Sequence, residues 1–138
     1  MHRVWLSGGP DAPSGARAAL DLLTVDRFDE LGCCDLRVLV SEIVTNSVRH
    51  GGAGGLDDSI QLTVTLSASG LRLECADPLG GFDAPPPQDD PWAASAGRGL
   101  SMVELLSSAW GTRYGPAGST WFEFDGNGNG NGNGAAPA

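Results

Sequence analysis

The chain has 138 residues and a formal net charge of −9, and all eight of its basic residues are arginines. This length suits one domain with a two-layer core, whereas an acidic chain without a basic patch is unsuited to nucleic acids, which bind clustered cations. The absence of lysine excludes a P-loop, because that loop uses a lysine to reach the β- and γ-phosphates. No apolar run approaches the roughly 20 residues that span a bilayer and no signal-peptide pattern is present, so we expect no membrane contact and a cytoplasmic location.

Two helices are predicted within residues 14–50. Ser14 suits the N-cap of the first, whose apolar face is formed by Ala16, Ala19, Leu20 and Leu23. Asp35 suits the N-cap of the second, which we expect to run to about His50 and to stop at two glycines. The apolar stripe of this second helix consists of Leu36, Val40, Ile43, Val44 and Ser47.

Strands are predicted mainly in the later part of the chain. Apolar and polar residues alternate over 60–67 and again over 71–75, and the Ser69-Gly70 turn between them indicates a β-hairpin. A third helix is expected from about Leu100 to Ala109 and a last strand from Thr120 to Phe124. The hairpin favours an antiparallel sheet covered by helices on one face, so the predicted fold is an α+β two-layer sandwich.

The chain divides into two regions of different composition. We expect residues 1–125 to form the folded domain. Glycine and asparagine alternate over 126–134, and Ala-Ala-Pro-Ala follows. Such a segment has no apolar surface to offset its ordering entropy, so 126–138 is expected to be a disordered tail.

The three cysteines are Cys33, Cys34 and Cys75. Their spacing is not that of metal ligands, and His2 and His50 are the only histidines beside them. We therefore expect buried, reduced thiols rather than a zinc site.

Three polar residues of the second helix are candidates for chemistry. Glu42, Asn46 and Arg49 occur at i, i+4 and i+7, which places them on one flank of the helix beside the apolar stripe. An asparagine carbonyl oxygen suits Mg²⁺, which takes its other ligands from water and substrate phosphates, and a nearby glutamate suits a general base. The alternative interpretation is a solvated polar flank without a ligand.

Two glycine-containing segments are further candidates. Asp77 directly follows a predicted strand and opens residues 77–82, where a carboxylate is placed to accept a hydrogen bond from an amine such as that of adenine. Gly97, Arg98 and Gly99 precede the third helix, whose N-terminus favours an anion. The proline-rich stretch between them has the length of a lid. The alternative for residues 77–82 is an ordinary turn after a strand, and the Gly-x-Gly of residues 97–99 is by itself a weak signal.

Four segments of the chain occur in a fixed order: 42–51 (Glu-Ile-Val-Thr-Asn-Ser-Val-Arg-His-Gly), 77–82, 97–100 and 118–122. They resemble, respectively, the N box, the two glycine boxes and the closing Gly-x-Thr-x-Phe segment of the GHKL, or Bergerat-fold, ATPases. The resemblance covers residues 14–124. Within this superfamily, a short, stand-alone domain of this kind resembles the anti-sigma-factor serine kinases of bacterial partner-switching systems.

The resemblance implies a Bergerat fold, with helices on a mixed, mainly antiparallel sheet, that binds ATP and Mg²⁺ beneath a lid. By position, Asn46 would bind Mg²⁺ and Glu42 would be the general base. The residues implied in nucleotide binding are Asn46, Arg49, Asp77, Gly81, Gly97, Arg98, Gly99, Leu100 and Thr120. Asp77 would read the adenine amine, and Arg98 would either pair with a phosphate or contact a partner.

The resemblance also implies partners. Family members of this type phosphorylate a serine or threonine of an anti-sigma antagonist protein and sequester a sigma factor, and many form homodimers. This chain departs from the family pattern at Leu79, which stands where the first glycine of the Asp-x-Gly-x-Gly box belongs. The alternative function is therefore a Bergerat domain that holds a partner and transfers nothing.

Overall fold

The computed structural model describes residues 1–50, 55, 58–76, 98–113 and 119–125. These residues form three helices: α1 (Ala12–Thr24), α2 (Glu30–His50) and α3 (Arg98–Leu106). They also form five strands: β1 (His2–Ser7), β2 (Ser59–Leu66), β3 (Leu71–Ala76), β4 (Ala109–Arg113) and β5 (Ser119–Phe124). The predictions made for 77–97 and 126–138 fall on residues outside this description.

The five strands form one sheet in the order β1-β2-β3-β5-β4. Each pairing between neighbouring strands of this sheet is antiparallel. In the middle of the sheet, Val64 of β2 lies opposite Leu73 of β3, which in turn lies opposite Phe122 of β5. Because successive side chains point to opposite faces of a strand, this register gathers the apolar residues of β2, β3 and β5 on one face. The predicted two-layer α+β fold, including the β2–β3 hairpin, is confirmed.

The core lies between that face and the helices. Helix α2 contributes Leu36, Leu39 and Ile43, each at most 1% exposed, and Phe122 of β5 is fully buried beneath the helical layer. Helix α1 packs beside α2 and adds Ala16 and Leu20. The opposite face of the sheet is polar: the Arg72 guanidinium lies 4.2 Å from the ring centroid of Trp121 and 3.2 Å from the Glu123 carboxylate.

Helix α2 begins earlier than predicted. It starts at Glu30, so Asp35 is not its N-cap and lies inside the helix. The cap is Asp29, whose Oδ1 accepts a hydrogen bond from the Gly32 backbone N–H at 2.8 Å. Helix α1 likewise begins at Ala12, with a proline in its first turn that is favourable there, so Ser14 is not the cap.

The third helix ends earlier than predicted, and Ala109 is the first residue of β4. Between the helix and β4, the backbone N–H and the hydroxyl of Ser108 both donate to the Glu123 carbonyl of β5, at 2.8 and 2.9 Å. Neither β4 nor β1 was predicted from the sequence. In β1 the alternation is obscured by Trp5, which is 60% exposed on the outer face between the inward-facing Val4 and Leu6.

The cysteines only partly match the expectation of buried thiols. Cys75 is fully buried in β3, whereas Cys34 is exposed on α2 and Cys33 is half-buried. The Cys33 thiol points to the carbonyls of Thr24 and Phe28, at 3.7 and 3.6 Å, and so helps to close the turn between α1 and α2. In the part of the chain that the structure describes, no helix is both long and apolar enough to cross a membrane.

Candidate functional site

Helix α2 presents the polar pair that the sequence indicated. Ile43 and Val44 are fully buried against the sheet, whereas Glu42 and Asn46 are half-buried on the flank of the same helix. Arg49, one turn further on, is exposed. The predicted flank therefore exists, and its carboxylate and carboxamide lie one turn apart at the boundary between core and solvent.

The hydroxyl of Ser47, next to Asn46, is buried without a hydrogen-bond partner among the described residues. A helical serine or threonine in an apolar setting usually donates to the carbonyl of the preceding turn. Thr24, the last residue of α1, does so to Leu20, and Ser107, directly after α3, does so to Val103. Ser47 makes no such bond among the described residues, and a buried hydroxyl without a partner costs about 1–3 kcal/mol.

The periodicity of α2 places Ser47 in the apolar stripe and does not mark it as a site residue. The available signal was a hydroxyl residue in an otherwise aliphatic stripe, immediately after Asn46.

Thr120 of β5 shows the same feature. It is fully buried on the inward face of the sheet, opposite Cys75 of β3, and its Oγ1 has no hydrogen-bond partner among the described residues. Helix α2 packs on both β3 and β5. Two hydroxyls, one from each layer, therefore lie at the interface of α2 and the sheet without a hydrogen-bond partner among the described residues. Buried polar groups are normally hydrogen-bonded, which makes both hydroxyls candidates for contact with a polar ligand.

The other predicted residues are placed only in part. Arg98, Gly99 and Leu100 form the backbone of the first turn of α3, which packs against α2. The second glycine box thus opens the helix rather than preceding it. Asp77, Leu79, Gly81 and Gly97 lie outside the described residues, although β3 ends at Ala76, directly before Asp77.

The described groups suit a nucleotide with a magnesium ion. The side-chain oxygen of Asn46 is a hard donor that Mg²⁺ accepts, and Mg²⁺ retains positions for water and phosphate. The Glu42 carboxylate one turn earlier suits a general base. The unsatisfied hydroxyls of Ser47 and Thr120 suit the polar edge of a ligand held between α2 and the sheet. No P-loop lysine is required for this kind of site, consistent with a chain that has none.

A family model described as the histidine kinase-like ATPase domain matches residues 13–120. The match covers most of the chain, and the chain therefore belongs to this family of ATPase domains, as its motifs indicated. A comparison of the sequence with curated proteins finds no match.

Solved structures share the fold. The structure of the RsbU and RsbW domains of Rv1364c from Mycobacterium tuberculosis has a TM-score of 0.61 at 20% identity, covering 90% of this chain and 32% of that one. The blue-light activated histidine kinase of Erythrobacter litoralis EL346 has a TM-score of 0.51 at 16% identity, covering 86% of this chain and 42% of that one.

The histidine kinase domain of the Erythrobacter protein, solved separately, has a TM-score of 0.50 at 16% identity and covers 83% of this chain and 59% of that one. The chain thus spans between about a third and three-fifths of the length of these structures. At such identities the likeness concerns the fold, which is that of a kinase-like ATPase domain.

Proposed function

We propose that this chain is a cytoplasmic protein kinase of the anti-sigma-factor type, which uses ATP and Mg²⁺ to phosphorylate a serine or threonine of an antagonist protein. The observation that carries the proposal is the half-buried pair of Glu42 and Asn46, adjacent to the unsatisfied hydroxyl of Ser47. The likeness to a structure that includes an RsbW domain supports the anti-sigma branch over a histidine kinase. A sigma factor as second partner, and a homodimer, belong to the same proposal.

Four residues that the structure describes would have roles in this mechanism. Asn46 would hold Mg²⁺ through its side-chain oxygen, and Ser47 and Thr120 would donate to or accept from the buried part of the nucleotide. Glu42 would take the proton of the substrate hydroxyl as the hydroxyl oxygen bonds to phosphorus and ADP leaves. When bound, ATP supplies the phosphoryl group and Mg²⁺ offsets its charge.

The remaining roles rest on the family resemblance. Asp77 would accept a hydrogen bond from the adenine amine, and Gly81, Gly97 and Gly99 would let the backbone approach the nucleotide closely. Arg98 and the start of α3 would face the phosphates, where a helix N-terminus favours negative charge. Arg49, exposed at the end of α2, would contact the nucleotide from the solvent side.

The second candidate function is a partner-binding module that transfers nothing. It is favoured by Leu79, which occupies the first glycine position of the first glycine box. A side chain at that position restricts the backbone conformations that glycine allows. Both candidate functions require the same fold and the binding of a partner protein. They differ in one measurable property, which is the transfer of phosphate to that partner.

The discriminating experiment measures transfer of labelled phosphate from ATP to the antagonist protein by the wild type, by Glu42→Ala and by Glu104→Ala. Glu104 is an exposed glutamate of α3 and serves as the matched control. Loss of a general base lowers the rate by about 10²–10⁴-fold. We expect that loss for Glu42→Ala only, with nucleotide affinity retained. Undiminished transfer by Glu42→Ala would show that the base is another group, and no transfer by the wild type would favour the binding module.

A further inference from the structure

Three large apolar side chains around the turn between α1 and α2 face solvent: one near the end of α1, one in the turn and one in the first turn of α2. Leu22 is 83% exposed, Val25 is 64% exposed and Leu31 is 67% exposed. We call these three residues the corner patch. Single exposed leucines are ordinary, but three large apolar side chains that face solvent within ten residues of chain are typical of an interaction surface.

The core does not need these side chains. The same stretch already supplies Leu23 and Phe28 to the interior, and the Phe28 ring lies 5.5 Å from the ring of Phe124, centroid to centroid. In α1 the buried positions recur at Ala12, Ala16, Leu20 and Thr24, so Leu22 projects from the opposite side of the helix. The corner patch is therefore additional to the apolar surface that holds the fold together.

Several hydrogen bonds close the turn that carries Val25. The Thr24 carbonyl accepts hydrogen bonds from the N–H groups of Arg27 and Phe28, at 2.9 and 3.2 Å. The cap formed by Asp29 and the Cys33 thiol close the other side of the turn. A partner that binds a preorganised surface of this kind loses little affinity to the ordering of the loop.

The charge around the corner patch is strongly acidic. Residues 21–35 contain five acidic side chains and one arginine, a net charge of −4. Asp21 is paired with Arg37 at 2.9 Å, but Asp26 and Glu30 are exposed and make no ion pair with any residue that the structure describes. An apolar centre with an acidic rim is complementary to a partner with apolar residues between lysines or arginines.

We propose that the corner patch is the docking site for a basic amphipathic helix of a partner protein. Such a helix would lay its apolar face on Leu22, Val25 and Leu31 and direct its cations at Asp26 and Glu30. Leu31 and Glu42 are eleven residues apart on α2, a rise of about 16 Å, so this surface is separate from the candidate nucleotide site. The proposal does not depend on phosphate transfer.

The test uses the full chain and two synthetic 18-residue helical peptides. One has leucine on one face and lysine on the other, and its matched control has glutamate in place of lysine. Titration calorimetry is performed with the wild type, with Leu22→Ser/Val25→Ser/Leu31→Ser and with Asp26→Asn/Glu30→Gln. Leu105→Ser is the control variant, because Leu105 is 74% exposed but belongs to α3.

We expect the lysine peptide to bind the wild type and Leu105→Ser equally, and to bind both corner-patch variants at least tenfold more weakly. The glutamate peptide should not bind. Circular dichroism establishes that each variant is folded, and amide chemical shifts should change at residues 21–35 on addition of the lysine peptide.

Three results would overturn the proposal. The first is equal affinity of the lysine peptide for the wild type and the triple serine variant. The second is an equal loss in Leu105→Ser, which would show binding to the acidic surface in general. The third is a fall in sedimentation-determined mass for the triple serine variant, which would assign the corner patch to contacts between copies of this chain.

Discussion

The two parts of helix α2 differ in how their polar groups are satisfied. In the first part, residues 30–41, several polar contacts tie the helix to the rest of the fold: Asp29, just before it, caps the first turn, Arg37 pairs with Asp21, and Ser41 accepts a hydrogen bond from Arg17 at 2.8 Å. In residues 42–50, Ser47 is buried with its hydroxyl unsatisfied among the described residues, beside the half-buried Asn46. Both parts share one apolar stripe, so packing against the core fixes the whole helix. The buried hydroxyl without a described partner occurs only in the second part, which is therefore the candidate ligand site.

The largest effect should come from the apolar stripe, and it should be the same in both parts. Leu36 and Ile43 are at most 1% exposed. Each substitution, Leu36→Ala and Ile43→Ala, should lower the free energy of unfolding by about 2–5 kcal/mol, because it removes buried methyl groups and leaves a cavity. Urea unfolding measures both. A loss of less than about 1 kcal/mol for Ile43→Ala alone would mean that the second part is not packed as the first is.

Ser47→Ala should have the opposite sign. Removing a buried hydroxyl that has no described partner should raise the free energy of unfolding of the ligand-free protein by about 1 kcal/mol. The same variant should bind ATP more weakly, because the hydroxyl is proposed to meet the nucleotide. Thermal unfolding with and without ATP measures both effects. A destabilised ligand-free variant with unchanged ATP affinity would contradict the assignment of Ser47 to the site.

Asp29→Ala should lower the free energy of unfolding by about 1 kcal/mol through loss of the N-cap. Because Asp29 lies at the other end of α2 from Asn46, the ATP affinity of the folded variant should be unchanged. Asp26→Ala, three residues earlier in the same exposed turn, is the control for loss of a carboxylate alone. Equal destabilisation by the two substitutions would mean that charge, and not the cap, is responsible.

Asp35 gives a smaller, pH-dependent effect. Burial and, to a lesser extent, the charge of Asp29 raise the pKa of Asp35 above its ordinary value. The folded state therefore binds this proton more tightly than the unfolded chain does, so the charged carboxylate lowers stability at neutral pH. That cost disappears as pH falls through the raised pKa towards about 3.9, the unfolded value.

Asp35→Asn should accordingly be slightly more stable than the wild type at pH 7, and the difference should vanish as the pH is lowered through that range. Urea unfolding of both proteins across this range measures the difference. A difference that is independent of pH would contradict this explanation.

The smallest effect should come from the far end of the chain. We propose that residues 126–138 are a disordered tail, because their glycine and asparagine offer nothing to pack. Removal of everything after Asp125 should leave the melting temperature and the ATP affinity unchanged. A clear fall in either quantity would assign the tail to the fold or to the site.

Sequence patterns predicted the features that depend on local periodicity. The apolar stripe through Val40, Ile43 and Val44 predicted α2 and its polar flank. The alternation of apolar and polar residues predicted β2 and β3. The predicted start of α2 at Asp35 is wrong because Asp29 and Asp35 are equally acceptable N-caps by residue type. The hydrogen bond from the Gly32 N–H to Asp29 and the contacts of Cys33 with the preceding turn distinguish the two caps, and neither is visible in the sequence.

The remaining errors concern non-local contacts. Strand β4 is formed around Gly111, where a Cβ atom would lie only 2.8 Å from Nε1 of Trp121, and no local pattern reports that approach. Trp5 of β1 faces solvent although it is apolar, so the alternation of apolar and polar residues that marks a strand is not visible in β1. The state of the Ser47 hydroxyl depends on the positions of carbonyls and sheet atoms around it, which the sequence alone does not supply.

Calorimetric titration with ATP, with and without Mg²⁺, tests the central claim most directly, which is that α2 holds a nucleotide through its second part. The proteins compared are the wild type, Asn46→Ala and, as matched control on the first part of α2, Ser41→Ala. The account predicts magnesium-dependent binding to the wild type and to Ser41→Ala, and its loss in Asn46→Ala. No detectable binding of ATP to the wild type at millimolar concentration would contradict it.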